Sequence, residues 1–364
     1  MYLSTVAPFM ISWQIPTIIL FIFFLYNYAK RYGMGDYIGS VSPQYYPPQG
    51  LTLLQSGVIY DKFADKRDFS AAILELAQDG YIEIFDKEKG TNPYVKNNHK
   101  DTLPLSEEQR YLLNTILFSD SDEYRLEKDS YETEHISEHL NTVNEILYSW
   151  TVTNGYMHKN PSKLRYKYLN VAIMAMFPLV LMSIYVSYKI YGPEEAIKLF
   201  MGSIFIFLGL LVTVATLMKK AYLPALFGVI WMALSMWVLF YTTKADINII
   251  YTPVLMFPVL TVSIWYFFRK IGPFRQKGLD TYRHLLGYKE FIQKVEKDKI
   301  GHFLKQDPLF LDKILPYAVL FDLTKHWLNF YSIFDTDQPK WYHGDIDHID
   351  TISKAIQDKT LLRV

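Results

Sequence analysis

Five apolar runs, residues 11–28, 169–188, 199–218, 221–243 and 247–268, contain no Lys, Arg, Asp, Glu or His. A helix needs roughly 20 residues to cross the hydrocarbon layer, where only internal hydrogen bonds can satisfy its backbone. Each run is near that length, and helices of a soluble core seldom continue so far without a charge. The runs predict an α-helical integral membrane protein with five spanning helices. The chain as a whole is 50% hydrophobic yet still 20% charged, too polar to consist of spans alone. Water-facing portions must therefore alternate with the spans.

Basic residues beside each span set the expected orientation. Lys30 and Arg31 follow the first run, and Lys163, Arg165 and Lys167 precede the second. Lys219 and Lys220 separate the third and fourth, and Arg269, Lys270, Arg275 and Lys277 follow the fifth. On the opposite side Lys189 and Lys198 are offset by Glu194 and Glu195, and Lys244 by Asp246. The pattern predicts a multi-pass protein of the bacterial cytoplasmic (inner) membrane, N-terminus outside and C-terminus inside. Residues 1–10 read as a short external N-terminus, and 11–28 as a retained anchor rather than a cleaved signal peptide, because no basic residue precedes the apolar run.

Residues 39–160 read as a cytoplasmic α+β domain. It opens with a linker, Ser42-Pro-Gln-Tyr-Tyr-Pro-Pro-Gln, whose prolines exclude an early helix. A short helix is expected over residues 51–60. Asp68 is the expected cap of a second, carrying Phe69, Ala72, Ile73, Leu76 and Ala77 at helical spacing and closed by Gly80. Residues 81–85 alternate like a strand, 87–92 supply a turn, and 93–96 can return as its partner. Ser106 with Gln109 forms a capping box for a third helix through Tyr111, Leu112, Ile116 and Leu117. Helix, helix, two-stranded wing, helix is a winged-helix-like order. Four spans then fill residues 169–268, and 272–364 reads as a helical cytoplasmic C-terminal portion. Within that portion Tyr282, Leu285, Leu286, Tyr288, Phe291, Ile292 and Val295 share one face, and Trp341, Tyr342 and Gly344 suggest a turn. Residues 315–334 are nearly as apolar as a span, but Asp322, Lys325 and His326 argue against a sixth crossing. Their aromatics are expected to dock on protein or at the membrane interface.

The run Pro47-Pro-Gln-Gly-Leu, then Gly57, then Arg67-Asp-Phe-Ser-Ala-Ala-Ile-Leu-Glu-Leu-Ala-Gln-Asp-Gly-Tyr-Ile-Glu-Ile, resembles the bacterial YciQ-like predicted membrane proteins, a family of unknown function. Residues 282–291 and Leu315-Pro-Tyr-Ala-Val-Leu-Phe with Trp327 are similar to that family's closing segment. The resemblance implies an extracytoplasmic β-rich domain ahead of the first span. Only residues 1–10 stand there, so the chain is expected to lack it, through a truncated reading frame or a separately encoded outer partner. The family supplies no catalytic residues.

Two clusters could carry chemistry. His135-Ile-Ser-Glu-His139 fits the His-x-x-Glu-His pattern of inverted zinc proteases, in which two imidazoles one helical turn apart hold the metal and Glu138 activates a water. Its helix buries Ile136, Leu140, Val143, Leu147 and Trp150, leaving both histidines at the edge of that stripe, so a solvated polar face is the expected reading. His343, Asp345, Asp347, His348 and Asp350 mix ligand types near the C-terminus without the spacing of a calcium loop. An absence of cysteine excludes disulfides and thiolate sites. Lys66 and Arg67 open the candidate recognition helix, but Glu75, Asp79 and Glu83 follow, so no nucleic-acid partner is expected. Pro178, Pro224, Pro253 and Pro258 could break spans as in transporters, yet the spans hold no ionisable group and no two halves repeat.

No catalytic, cofactor-binding or metal residue is assigned, no cofactor is expected and no small-molecule ligand is evident. The expected function is a membrane-anchored cytoplasmic interaction module, regulatory or scaffolding, with the lipid bilayer and an unidentified protein as partners. A membrane-bound zinc metallopeptidase, a membrane-tethered DNA-binding regulator and a transporter are the alternatives.

Overall fold

The structure, a computed structural model, describes residues 14–32, 38–86, 93–119, 121–125, 130–218, 222–243 and 247–359. The start of the first apolar run, the 87–92 turn, Lys219, Lys220, Lys244 and Asp246 lie outside the described residues. The protein is mostly helical, with three candidate membrane spans and a small mixed four-stranded sheet. The chain divides into two compact units, Met1–Asp36 with Pro161–Pro273, and Tyr37–Asn160 with Phe274–Val364.

The first unit holds α1 (Gln14–Arg31) and four helices whose numbers, α6 to α9, follow those of the second unit: α6 (Pro161–Tyr191), α7 (Pro193–Met218), α8 (Tyr222–Thr242) and α9 (Ile247–Phe268). Among the described residues, Pro161–Tyr191, Pro193–Leu217 and Leu223–Thr242 are long and apolar enough to cross a membrane. Their outward side chains are apolar: Met174, Phe177, Leu223, Trp237 and Tyr241 are all exposed. Water does not tolerate such a surface, whereas lipid does. Inside the unit, hydroxyl groups turn back on their own helices, Ser183 to the Leu179 carbonyl (3.0 Å), Thr213 to Gly209 (2.8 Å) and Thr261 to Phe257 (2.9 Å). α7 and α8 approach closely because Gly209 faces the Met232 backbone nitrogen and Gly228 faces Thr213. Trp231 Nε1 donates to the Phe205 carbonyl across that contact at 3.0 Å.

The second unit is assembled from sequence-distant stretches. Its first stretch carries α2 (Leu53–Asp61), α3 (Lys66–Gln78), β1 (Ile82–Asp86), β2 (Tyr94–Asn97), α4 (Glu107–Tyr111) running on as a π-helical turn (Leu112–Leu117), β3 (Glu123–Arg125) and α5 (Ser130–Thr153). Its last stretch carries α10 (Gln276–Lys294), α11 (Lys297–Gln306), α12 (Phe310–Leu320), α13 (Thr324–Phe334), β4 (Tyr342–Gly344) and α14 (Ile349–Lys359). Capping boxes start three helices, Thr52 with Gln55 for α2, Asp65 with Asp68 for α3 and Ser106 with Gln109 for α4. The cap of α3 is thus Asp65, and Asp68 is the box's third helical residue, returning its carboxylate to the Asp65 amide at 3.0 Å. Gly80, at φ +77°, stops α3 in the left-handed conformation that glycine adopts without strain.

The sheet order is β3-β2-β1-β4, with β1 antiparallel to β2 and parallel to β4. Tyr342–Gly344 is therefore a strand rather than a turn, and the C-terminal portion is not purely helical. β1 lacks a partner on its outer edge within its own stretch, and the Ile84 amide finds the Trp341 carbonyl at 2.9 Å. Residues 315–334 are two helices broken where Asp322 takes φ +61°. Trp327 is fully buried, donating from Nε1 to the Leu311 carbonyl at 2.9 Å. Tyr317, Leu320, Phe321 and Phe330 join it in one continuous core with Leu53, Ile73, Ile84 and Leu147 from the first stretch.

The proline-rich linker is strapped onto α10. Arg283 Nε donates to the Ile38 carbonyl and His284 Nε2 to that of Tyr46 (2.8 Å). Tyr45 packs edge-on against Phe291 with ring centres 5.3 Å apart, and Lys299 Nζ lies 4.0 Å above its ring. Gly287 allows this, since a Cβ there would collide with the Ser42 carbonyl.

Two substitutions test the shared core. Trp327→Ala should destabilise the second unit by about 3–5 kcal/mol in denaturant unfolding followed by near-ultraviolet dichroism. Gly287→Ala should release the strap, so that protease cleaves the 42–48 segment faster while the α6–α9 helices keep their far-ultraviolet signal.

Candidate functional site

Each sequence-flagged cluster takes a definite place. Arg67, at the start of α3, the helix expected to serve for recognition, lies 3.3 Å from Asp61 and 3.2 Å from Asp65, and these carboxylates hold its guanidinium charged. The helix itself buries Phe69, Ser70, Ala71, Ala72, Ile73, Leu74, Leu76 and Ala77, leaving Lys66, Arg67, Glu75 and Gln78 half-buried. Of the zinc-protease pattern, His139 Nδ1 is hydrogen-bonded to the Tyr111 hydroxyl at 2.7 Å. The side chains of His135 and Glu138 lie outside the described residues. The C-terminal cluster meets β1: His343 Nε2 is 2.9 Å from Glu83 and His348 Nδ1 is 3.1 Å from Asp86, while Asp345 caps the turn through the Asp347 amide and Asp350 accepts from Lys354. His343 also stacks on Phe85, which stacks on Tyr94, giving one row of rings across β4, β1 and β2. This cluster thus clasps the last strand to the sheet. Among the described residues no three His, Asp or Glu side chains converge as a metal site would require.

A different set of polar residues is drawn together by the capping boxes. In the α2 box Gln55 Nε2 donates to Glu108 Oε1 at 2.6 Å, and Thr52 Oγ1 donates to the same oxygen at 3.3 Å. The Gln109 side chain of the α4 box donates to Glu75 Oε2 at 2.9 Å. Glu75 also accepts the Leu53 amide at 3.0 and 3.1 Å, closing one of the open donors at the start of α2. The two helix starts are thus cross-tied by two carboxylates. Burial, reinforced by Asp79 and Glu108, outweighs these donated bonds and pushes the Glu75 carboxyl up from 4.5 to about 7. Asp68, wholly buried against Gly57, is pushed well above the carboxylate range, first by burial and then by Asp65 and Asp61.

Beside this network a cleft of about 620 Å³ opens between the starts of α2 and α4 and the last turns of α5. Gln55, Ser106, Glu107, Glu108, Glu145, Ser149, Trp150 and Asn154 are among its walls. Glu107 and Glu145 are exposed, Glu108 is 1% exposed, and Trp150 is half-buried with its ring stacked on Tyr156 at 4.8 Å. Sequence reading assigns none of these acids to a site, Glu145 lying too close to His135 and His139 to serve as a distant third zinc ligand. The Ser106–Gln109 box was visible, but nothing in its spacing says that Glu108 points inward or that α5 lies opposite.

The family described as predicted membrane protein (DUF2207), C-terminal domain, matches residues 42–226, just over half of the chain. No curated protein and no solved structure matches it.

The Glu75 result sets a pH dependence. Between about 4.5 and 7 the folded carboxyl keeps a proton that the unfolded one has released, so the folded state binds more protons and stability falls as pH rises through that window. Thermal unfolding of wild type and Glu75→Gln across pH 4 to 8 should show the variant losing less stability over the window, and an identical slope would contradict the assignment.

Proposed function

The chain belongs to the DUF2207 family of predicted membrane proteins, and we propose that it is a membrane-anchored interaction module. In this reading five helices cross the bacterial inner membrane, and the second unit works in the cytoplasm in a regulatory or scaffolding role, engaging a protein partner. One observation carries the reading: residues 37–160 and 274–364 share a single hydrophobic core. Two stretches that share a core lie on one side of the bilayer, so the helices between them cross an even number of times. Three of those helices qualify by length and composition. Parity therefore supports a fourth crossing by α9 (Ile247–Phe268), whose 22 residues carry no charge. α1, with Lys30 and Arg31 in its last turn, supplies the fifth as the anchor preceding the module.

Charge supports the side. Lys163, Arg165 and Lys167 at the start of α6, and Arg269, Lys270, Arg275 and Lys277 beyond α9, flank the module's two entries into the membrane. The α6–α7 connection carries Lys189 and Lys198, but Lys198 is paired with Glu194 (2.8 Å) and Glu195 (2.9 Å). The deep burial of α3 and the engagement of Arg67 favour protein contact over the DNA-binding alternative.

Reporter fusions test the topology. Alkaline phosphatase joined after Val364 should be inactive, and the same enzyme inserted at Gly192 should be active, since it folds only outside the cytoplasm. Activity at Val364 together with silence at Gly192 would reverse the orientation, and an active fusion at Asn160 beside a silent one at Val364 would break the parity on which the reading rests.

A further inference from the structure

We propose that the cleft between α2, α4 and α5 is a binding site for a small organic polycation, a linear aliphatic polyamine. The argument begins with Glu108. It is 1% exposed, and both of its hydrogen bonds, from Gln55 and Thr52, fall on Oε1. Among the described residues Oε2 receives none, although the residue lines the cleft. Oε2 is the oxygen of this nearly buried carboxylate that is left to the cleft, and a positively charged donor there satisfies it better than a neutral one. Glu107 and Glu145 add two further carboxylates on the walls, and neither has an ion-pair partner among the described residues.

The aromatic wall suits the same ligand. Trp150 stacks on Tyr156, and Lys277 Nζ lies 4.2 Å over the Tyr156 ring while donating to the Asn154 carbonyl at 3.1 Å. This end of the unit thus already holds one ammonium group between a ring face and a carbonyl. Trp150 and Asn154 offer a second cation similar contacts from within the cleft, with the methylene chain lying along the indole.

Size and the set of acidic groups decide the class. A volume of about 620 Å³ lies in the range of small-molecule sites. No three acidic groups converge on one point among the described residues, which disfavours a single metal ion and favours a ligand whose positive charges are spaced apart. Ser106, Ser149 and Thr153 supply hydroxyl acceptors for the remaining N–H groups. The cleft belongs wholly to the second unit, so the site stands independently of the orientation of the spans.

The test is isothermal titration of the purified full chain in non-ionic detergent with spermidine, putrescine, magnesium chloride and trilysine. Spermidine should bind saturably at one per chain, and putrescine about tenfold more weakly for want of the third charge. Glu108→Gln, which keeps the shape of the side chain, should weaken spermidine binding about tenfold. Glu145→Gln, an exposed change that leaves folding intact, should weaken it about threefold and reduce the salt dependence. Should Glu108→Gln fail to fold, Glu145→Gln with Glu107→Gln decides the matter. The proposal is overturned if spermidine gives no saturable heat or if the folded acid-to-amide variants bind it unchanged. Displacement of spermidine by equimolar magnesium would mark a metal site instead, and tighter binding of trilysine would mark a peptide site.

Discussion

The structure depends on the burial of α3. This helix is apolar or small on nearly every side, and a helix of that kind is stable in water only when neighbours cover it all round. α2 covers one side, and the rest is supplied from 234 to 283 residues further along the chain. Ser70 Oγ donates to the Ser353 carbonyl of α14 at 3.0 Å, and Gln78 Nε2 to the Asp312 carbonyl of α12 at 2.7 Å. Ile349, Ile352 and Ile356 recur on the buried side of α14. The aromatic wealth of residues 315–334 has the same origin: Trp327, Tyr317 and Phe321 are core residues of a domain whose other half precedes the second apolar run.

From this closure the remaining features follow. The parallel β1–β4 pair requires a crossover, and here the crossover contains the whole α6–α9 block. The helices of this block, three of them candidate membrane spans, are thus inserted into a domain rather than appended to it, and the parity argument for the proposed number of crossings rests on that insertion. The capping boxes of α2 and α4 face one another, and their glutamines must share a confined space with Glu75 and Glu108. That confinement raises the proton affinity of Glu75 and leaves Glu108 with one oxygen open to the cleft.

Local signals in the sequence were read with success where the chemistry is local. The helices at the apolar runs, three of them candidate spans, the Ser106–Gln109 box, the α3 stop at Gly80 and the antiparallel β1–β2 pairing depend on neighbours within a few residues. The errors arise where two candidates compete locally or where the partner is remote. Asp65 and Asp68 are both plausible caps, and the turn that places Asp65 in extended backbone settles the choice. Trp341, Tyr342 and Gly344 carry turn-forming and strand-forming residues together, and only the unpaired edge of β1 makes a strand of them. Periodicity showed five apolar positions on α3 but missed Ser70, Ala71 and Leu74, whose burial depends on helices that sequence spacing cannot bring near. The cleft was illegible for the same reason, since its walls come from three helices and its acids from two of them, α4 and α5, of which only α4 showed its start.

The shared core can be tested directly because the chain has no cysteine. Phe85 and His343 are partners across the parallel β1–β4 pair, with stacked rings 4.4 Å apart. Phe85→Cys with His343→Cys, oxidised in native membranes and then cleaved by protease between the two positions, should leave the fragments joined until a reductant is added. Fragments that separate without reductant, with both thiols intact and reactive, would contradict the account of one domain built from the two sequence-distant stretches.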